Sequence, residues 1–335
     1  GGMEHAYSTA IHYASDSNVE GITAHEFFHL WNVKRIRPQT LEPVDYVRPN
    51  LTRALWFAEG VTSTYASYTL LRAGLRTPQE FYEELAGQIA QLEQRPASRW
   101  KSAEEASLDA WFEGYRHYRQ PPFSISYYNK GQILGVLLDI LIRDATDNRQ
   151  SLDDVLRRLN QEYAQRGRYY DDSAGIRAAA EKVAGVSFAN FFARYVAGAE
   201  PLPYEEILRK AGLRFEMQGG SVTIQEDRRA SEAARRIRTG LLQGSPVRVC
   251  TVAAFPLGAS LPTYKALEAL ACISAGAHEV DMVMNIGALK GAAYGLVFND
   301  VAAVVQVAHR YRLPVNVYGL CTDSNLCDFQ SGYER

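Results

Sequence analysis

The segment His25-Glu26-Phe27-Phe28-His29 lies in a stretch, residues 17–33, whose pattern is typical of an α-helix. On a helix, two histidines four residues apart project from the same face, with their Cβ atoms about 5–6 Å apart. Both imidazoles can therefore reach a single ion. The segment predicts a metal site carried by this helix.

A third ligand has to come from elsewhere, because a catalytic zinc ion usually has three protein ligands and one open position for water. Glu59 is the candidate, in the segment Trp56-Phe57-Ala58-Glu59-Gly60 early in a second predicted helix, residues 52–72. Two helices packed antiparallel would bring Glu59 to the histidines. The sequence therefore predicts one Zn²⁺ bound by His25, His29 and Glu59.

Glu26 follows the first histidine by one residue, about 100° around the helix, so it would lie beside the ion and not on it. Zinc lowers the pKa of a bound water toward about 7, and a carboxylate in this position can take the proton and pass it to a leaving amine. The alternative is a helix that holds no metal, since the His-Glu-x-x-His spacing also occurs by chance. The glutamate-glycine pair downstream favours the zinc site.

Composition limits the remaining possibilities. The chain has 335 residues, 47% of them hydrophobic, which allows two globular domains. A formal net charge of -2 and the absence of like-charge runs indicate neither a nucleic-acid partner nor an anionic membrane. The longest apolar runs, such as residues 133–142, are too short to span a bilayer, and the amino end does not resemble a signal peptide.

The two ends of the chain differ in composition. All four tryptophans lie before residue 112 and all four cysteines lie after residue 249. The cysteines occur in apolar runs and are read as buried, free thiols, which favours a reducing compartment such as the cytoplasm over an oxidising one. Two unrelated segments are expected, and the polar stretch 217–229 is the expected linker between them.

Local signals predict helices throughout the first segment. Gly74, Gly167 and Gly185 are expected to end helices in the left-handed conformation. Thr77-Pro78-Gln79-Glu80 predicts a helix start with a capping box between Thr77 and Glu80. The second segment instead predicts strands and helices in alternation, which indicates a parallel sheet; the expected strands are 247–253, 279–284 and 314–320.

The first segment resembles the glycyl aminopeptidase family of zinc peptidases, over about residues 1–216. Four motifs carry the resemblance: Gly1-Gly2-Met3-Glu4-His5, residues 25–38, residues 55–60 and Tyr127-Tyr128-Asn129-Lys130-Gly131. The family implies a mainly helical, thermolysin-like (gluzincin) catalytic domain. It also implies a zinc aminopeptidase that removes small amino-terminal residues, glycine or alanine, from peptides with a free amino terminus.

The resemblance also suggests roles for further residues. Gly2, Met3 and Glu4 would line the substrate cleft, with Glu4 pairing with the substrate's α-ammonium group, although His5 departs from the asparagine common in related enzymes. Tyr128 would donate a hydrogen bond to the oxyanion of the reaction. An ordinary strand-edge carboxylate and a core tyrosine are the alternatives. Against the family pattern, the amino-terminal β-domain and the PDZ domain are expected to be absent, which leaves the activity of this chain open.

Residues from about 230 to 335 resemble part of deoxyribose-phosphate aldolase, a TIM barrel that forms a Schiff base with its substrate. Residues 247–259 and 277–290 carry this resemblance, and Asp281 matches an aspartate of the family's proton relay. About three of eight βα units are covered, and the Schiff-base lysine would lie beyond the end of the chain. Lys265 and Lys290 are the lysines that remain. The alternatives to a peptidase are therefore an inactive aldolase-like segment or a non-catalytic, truncated fusion product.

Overall fold

The chain forms two compact units. The computed structural model describes residues 1–5, 8–12, 19–45, 47–113, 122–243, 250–255, 257–274, 277 and 279–318. Unit 1 comprises Gly1–Arg72 and Arg76–Gln243, and unit 2 comprises Ala73–Leu75 and Gly244–Arg335. Unit 1 is mainly helical, whereas unit 2 alternates strands and helices, so the predicted change in secondary structure along the chain is present.

Unit 1 opens with a short antiparallel strand pair and continues as helices. Strands β1 (Gly2–Glu4) and β2 (Thr9–Ile11) pair with Met3 opposite Ala10. The α-helices that follow are α1 Val19–Phe28, α2 Thr62–Arg72, α3 Pro78–Glu93, α4 Ala103–Leu108, α5 Ala110–Glu113, α6 Tyr127–Ala145, α7 Leu152–Glu162, α8 Asp172–Ala184, α9 Ala189–Phe191, α10 Tyr204–Lys210 and α11 Glu232–Leu242. Two π-helical turns, Trp56–Val61 and Phe192–Val196, lie directly before α2 and after α9.

The predicted helix boundaries agree with the structure where local chemistry sets them. Thr77 caps α3, and both hydrogen bonds of the capping box with Glu80 are present. Gly74, Gly167 and Gly185 adopt φ values of 73°, 62° and 70°, which glycine reaches without a Cβ clash. These signals act within one helical turn, so the sequence alone is sufficient to predict them.

Helix α6 forms the centre of unit 1. Its Ile133, Leu134 and Leu137 are fully buried, and Ser126 caps its start by accepting a hydrogen bond from the backbone N–H of Asn129. It contacts α2, α3, α4, α7, α8, α10 and α11 and the first π-helical turn. Within the described residues, neither α6 nor any other helix is long and apolar enough to cross a membrane.

The stretch expected to be a linker, residues 217–229, instead forms part of a β-hairpin in unit 1. Strands β3 (Leu213–Gln218) and β4 (Ser221–Glu226) pair antiparallel through a Gly219-Gly220 turn in which both glycines have positive φ. Ile224 of β4 and Ile237 of α11 are buried in the unit 1 core. Alternating Val222 and Ile224 are a strand pattern, and the polar residues between them are its solvent-facing positions. Unit 1 therefore extends to Gln243.

Unit 2 contains a three-stranded parallel sheet with strand order β5-β6-β7. Its strands are β5 Cys250–Ala253, β6 Glu279–Val283 and β7 Val315–Tyr318, and its helices are α12 Pro262–Ser274, α13 Ile286–Lys290 and α14 Tyr294–Arg310. The predicted parallel pairing is confirmed. Cys250 and Cys272 are free thiols, but Cys250 is exposed and Cys272 only partly buried, so neither is buried as expected. Cys321 and Cys327 lie outside the described residues.

Candidate metal centre

Three elements of unit 1 meet at the predicted metal site. Helix α1 carries His25 and His29, the π-helical turn Trp56–Val61 carries Glu59, and β1 lies against α1. π-Helical turns are rare and occur frequently at functional sites. The structure thus brings the two histidines and the distant glutamate together on neighbouring elements.

The three side chains present their ligand atoms to one point. Oε2 of Glu59 lies 3.2 Å from Nε2 of His25 and 3.2 Å from Nε2 of His29, and the two Nε2 atoms are 3.1 Å apart. Ligand atoms placed tetrahedrally at zinc bond lengths of 2.0–2.1 Å are about 3.3 Å from each other. The triangle therefore has nearly the size of one face of a tetrahedral zinc site.

The second ring nitrogen of each imidazole, Nδ1, has a hydrogen-bond partner in the protein. Nδ1 of His29 donates to the backbone oxygen of Asn32 over 2.7 Å. Nδ1 of His25 lies 3.3 Å from Oγ of Ser63, whose own hydrogen is donated to the backbone oxygen of Glu59. Ser63 can therefore accept from His25. When each ring is neutral and carries its hydrogen on Nδ1, its Nε2 atom has the lone pair that a metal requires.

Charge is strongly coupled within the triangle. Burial opposes protonation of His29, but its hydrogen bond to Glu59 and the charge of that carboxylate outweigh burial and raise the pKa of His29 to about 9. Burial also opposes ionisation of Glu59, yet the hydrogen bonds from His25 and His29 lower its pKa to about 2. The site stabilises positive charge at its centre, and two imidazole nitrogens with one carboxylate oxygen fit the preferences of zinc.

Glu26 lies beside the triangle, as its position on α1 predicts. The side chain is buried, and this burial raises its pKa although His25 and His29 act in the opposite direction. The backbone of β1 packs directly on it: a Cβ added at Gly2 would lie 2.2 Å from Cγ of Glu26. The carboxylate therefore fills the space that a side chain at Gly2 would need.

Glu4 of β1 lies next to Glu26 and His29. Its carboxylate lies within 4.8 Å of the ligand-type atoms of Glu26 and His29. Nζ of Lys34 lies 3.0 Å from Oε1 of Glu4, so the carboxylate already has a cation of the chain as its partner. Met3, the neighbouring residue of β1, is exposed and lines the same cavity. The roles of Glu4, Gly2 and Met3 in substrate binding remain predictions.

Tyr128 lies at the amino-terminal end of α6, facing the histidines. Its ring centroid is 6.0 Å from that of His25, and it stacks on Tyr127 at 4.9 Å. Tyr127 is buried, whereas Tyr128 is partly exposed and lines the cavity. Both tyrosines line the smaller cavity beside the site, and Tyr128 also lines the larger one.

Two cavities meet at the site. The larger, about 750 Å³, extends from the metal triangle past Ser63, Ser67 and Leu70 to Glu84. The smaller, about 470 Å³, lies toward residues 33–55 and Trp111. Glu4, Glu59 and Tyr128 line both cavities.

A close backbone contact holds the turn that carries Glu59. A Cβ added at Gly131 of α6 would lie 2.1 Å from the backbone oxygen of Trp56 and 2.9 Å from Cα of Gly60. Only glycine permits this approach of α6 to the π-helical turn. Neither this contact nor the support from Asn32 and Ser63 is among the residues that the motifs predict, although Ser63 is recognisable as the residue four positions after Glu59 on the same helical face.

The aldolase-like residues lie in unit 2. Asp281 on β6 accepts a hydrogen bond of 2.9 Å from the side-chain amide of Asn316 on β7. Lys265 is fully buried, and its Nζ donates to Oδ2 of Asp300 over 2.5 Å. Lys265 is therefore an internal ion-pair partner and not an open amine.

Comparisons with known proteins agree with the resemblances that the motifs of both segments indicate. Residues 18–134 match the model of the M61 glycyl aminopeptidase family. Among solved structures, an aminopeptidase N family protein from Idiomarina loihiensis is similar, with a TM-score of 0.60 and 26% identity, over 65% of this chain and 40% of that one. The match to the family model contains the two histidines, Glu26, Glu59 and Tyr128.

The second segment matches deoxyribose-phosphate aldolases. The enzyme of Lysinibacillus sphaericus is 63% identical over 68 residues, which are 20% of this chain and 30% of that protein. The enzyme of Methanothermobacter thermautotrophicus is 51% identical over 73 residues, which are 22% of this chain and 33% of that protein. The chain spans about a third of the length of these relatives. Both resemblances indicated by the motifs, to the glycyl aminopeptidase family in the first segment and to deoxyribose-phosphate aldolase in the second, are therefore confirmed.

Proposed function

We propose that unit 1 is a zinc-dependent aminopeptidase that hydrolyses the peptide bond after a small amino-terminal residue, glycine or alanine. The observation that carries the proposal is the triangle of His25, His29 and Glu59, with sides of 3.1–3.2 Å and Glu26 beside it. The match of residues 18–134 to a peptidase family supports the same reaction class. The preference for small residues rests on the family resemblance alone.

His25, His29 and Glu59 would hold the zinc ion. When bound, zinc makes a water more acidic and polarises the carbonyl of the peptide bond. Ser63 and the backbone of Asn32 keep the imidazole lone pairs directed at the ion, because each accepts the hydrogen of one Nδ1.

Glu26 would move the proton. Its carboxylate accepts a proton from the attacking water and delivers it to the nitrogen of the leaving peptide. Burial raises the pKa of Glu26, which makes it a stronger base than an exposed glutamate. The phenol of Tyr128 would donate a hydrogen bond to the carbonyl oxygen as negative charge develops there.

Glu4 would select amino termini. Its carboxylate, within 4.8 Å of Glu26 and His29, can pair with the α-ammonium group of a peptide whose first carbonyl lies at the metal triangle. An internal peptide nitrogen has no charge to offer, so an endopeptidase substrate gains nothing from this contact.

The test compares zinc content and alanyl-anilide hydrolysis for the chain and for Glu26→Gln. We expect about one zinc per chain in both proteins and a loss of about 10²–10⁴-fold in turnover for the variant. Glu20→Gln is the matched control, because Glu20 is exposed on the same helix and lines neither cavity. Equal turnover in the chain and in Glu26→Gln would remove the proposal.

A further inference from the structure

The cation next to Glu4 belongs to the chain itself. Nζ of Lys34 lies 3.0 Å from Oε1 of Glu4, and the two side chains are 24% and 25% exposed. The contact is therefore an ion pair at a cleft wall and not a buried structural pair. A peptide's α-ammonium group would have to reach the same carboxylate.

The backbone fixes where Lys34 stands. Its N–H donates to the backbone oxygen of His29 over 3.0 Å, so the residue is tied to the end of the metal-binding helix. Its side chain then extends to β1 and lines the smaller cavity, while Glu4 lines both. Lys34 thus stands in the smaller cavity beside Glu4, the residue at which the two cavities meet and beside which the first residue of a peptide would lie.

The other cation of the smaller cavity is engaged elsewhere. The guanidinium of Arg37 forms an ion pair with Glu42 and donates to the backbone oxygens of Val33 and Lys34. Among the described residues that line this cavity, Lys34 is the cation paired with Glu4.

We propose that Lys34 is a specificity-determining residue, whose ammonium group competes with the α-ammonium group of the peptide for Glu4. The inference rests on the proposed aminopeptidase function. In the presence of Lys34, a charged amino terminus either displaces the lysine or shares the carboxylate with it at the cost of like-charge repulsion. The chain consequently discriminates less between free and blocked amino termini than Glu4 alone would.

The sign of the effect follows from the charges around the pair. Glu4 stands near Glu26, and removal of Lys34 leaves Glu4 without its lysine partner. The negative potential at Glu4 then increases, and a ligand cation binds more tightly. Partly exposed ion pairs of this kind have modest strength, so we expect a change of about fivefold.

The experiment measures equilibrium binding by titration calorimetry on the zinc-loaded full chain, with alaninamide and N-acetylalaninamide as probes. In Lys34→Met and Lys34→Gln, we expect the Kd of alaninamide to fall about fivefold and that of N-acetylalaninamide to stay within twofold. Lys34→Arg, which keeps the charge, should bind like the parent. Lys210→Met is the matched control, because its partly exposed pair with Asp144 lines neither cavity.

The two neutral variants separate charge from positioning. Gln can still donate a hydrogen bond to Glu4, whereas Met cannot, so tighter binding in both identifies the charge as the cause. Equal or weaker alaninamide binding in both, or no binding to any of the proteins, overturns the inference. Because the experiment measures binding, its outcome does not depend on turnover. If the chain binds alaninamide but cleaves no anilide, the proposed function is refuted, while the binding result for Lys34 still stands.

Discussion

Nδ1 of His29 donates its hydrogen to the backbone oxygen of Asn32 over 2.7 Å, three residues further along the chain. The side chain of Asn32 is fully buried and donates in turn to the backbone oxygen of Phe57 at 3.0 Å and to Oγ1 of Thr62 at 3.1 Å. One asparagine therefore joins the helix that carries the histidines to the turn that carries Glu59. The relative position of the ligands depends on this residue.

Replacement of Asn32 by alanine should weaken both the fold and the metal site. The substitution leaves the backbone oxygen of Phe57 without its side-chain donor in a buried position, and we expect a loss of about 2–3 kcal/mol in the free energy of unfolding. Looser ligands should lower zinc affinity about 10-fold or more. Urea denaturation of the metal-free chain and competition with a chelator measure the two effects. An exposed substitution on α3, Gln79→Ala, is the control, and unchanged zinc affinity in Asn32→Ala would show that the asparagine does not orient the ligands.

The contact between Gly131 and the π-helical turn gives a second prediction. Alanine at Gly131 would place a Cβ 2.1 Å from the backbone oxygen of Trp56, so α6 and the turn must separate. We expect a destabilisation of about 1–3 kcal/mol, as for other overpacked cores, and weaker zinc binding because Glu59 moves with the turn.

Gly87→Ala is the matched control for this prediction. Gly87 lies inside α3, and a Cβ added there meets no atom within 4 Å. Since alanine is the better helix former, the control should gain about 0.5–1 kcal/mol in stability with zinc affinity unchanged. If Gly131→Ala behaves like Gly87→Ala, the two backbones are not in close contact.

Zinc affinity should depend on pH through His29. A histidine must be neutral to bind a metal. Burial of His29 opposes its protonation, but the hydrogen bond and charge of the Glu59 carboxylate outweigh burial and raise the pKa of His29 to about 9. Below that pH, zinc must displace a proton, so the apparent affinity should rise with pH by up to about tenfold per unit until about pH 9. The pKa of Glu59, lowered to about 2, keeps the carboxylate ionised throughout.

Chelator competition at pH 6.5, 7.5 and 8.5 measures this dependence, after correction for the protonation of the chelator itself. A zinc affinity that is constant over this range would mean that His29 is already neutral in the metal-free chain. Proton release on zinc binding, measured in buffers of different ionisation enthalpy, provides an independent readout.

The parts of the site that the sequence predicts are those set by local geometry. The spacing of His25 and His29 places both on one face of any helix, and Glu26 follows from the same geometry. Ser63, four residues after Glu59, is accessible to the same reasoning. The contact between Gly60 and Gly131 is not, because it depends on how α6 packs in three dimensions, and a glycine within a helical pattern shows no partner by itself.

The β3–β4 hairpin and the ion pair of Glu4 with Lys34 show two further limits of prediction from the sequence. Residues 217–229 are polar enough to resemble a linker, and their strand character becomes clear only when Leu213–Gln218 supplies a partner. Glu4 and Lys34 belong to a strand and to the turns after a helix, so their contact requires the packing of β1 on α1. Charge alone does not reveal which lysine a glutamate meets.

The surroundings of Lys265 bear on the alternative, aldolase-like activity of unit 2. A lysine that forms an imine must present a neutral amine to a carbonyl carbon, with room for the aldehyde. Nζ of Lys265 is instead buried, and it donates to Oδ2 of Asp300 at 2.5 Å and to the backbone oxygen of Val283 at 2.9 Å. An imine would expel this ammonium from a fully buried ion pair and leave Asp300 charged without its partner, which is strongly unfavourable.

Borohydride reduction in the presence of acetaldehyde, followed by peptide mapping, should therefore give no adduct at Lys265, while exposed Lys290 reacts at the slow rate of a surface lysine. Denaturation before treatment is the control, because it removes the ion pair and should bring both lysines to equal labelling. Selective, rapid labelling of Lys265 in the folded chain would show that its amine reaches the aldehyde. The hypothesis of an active aldolase-like unit 2 would then replace that of an inactive one.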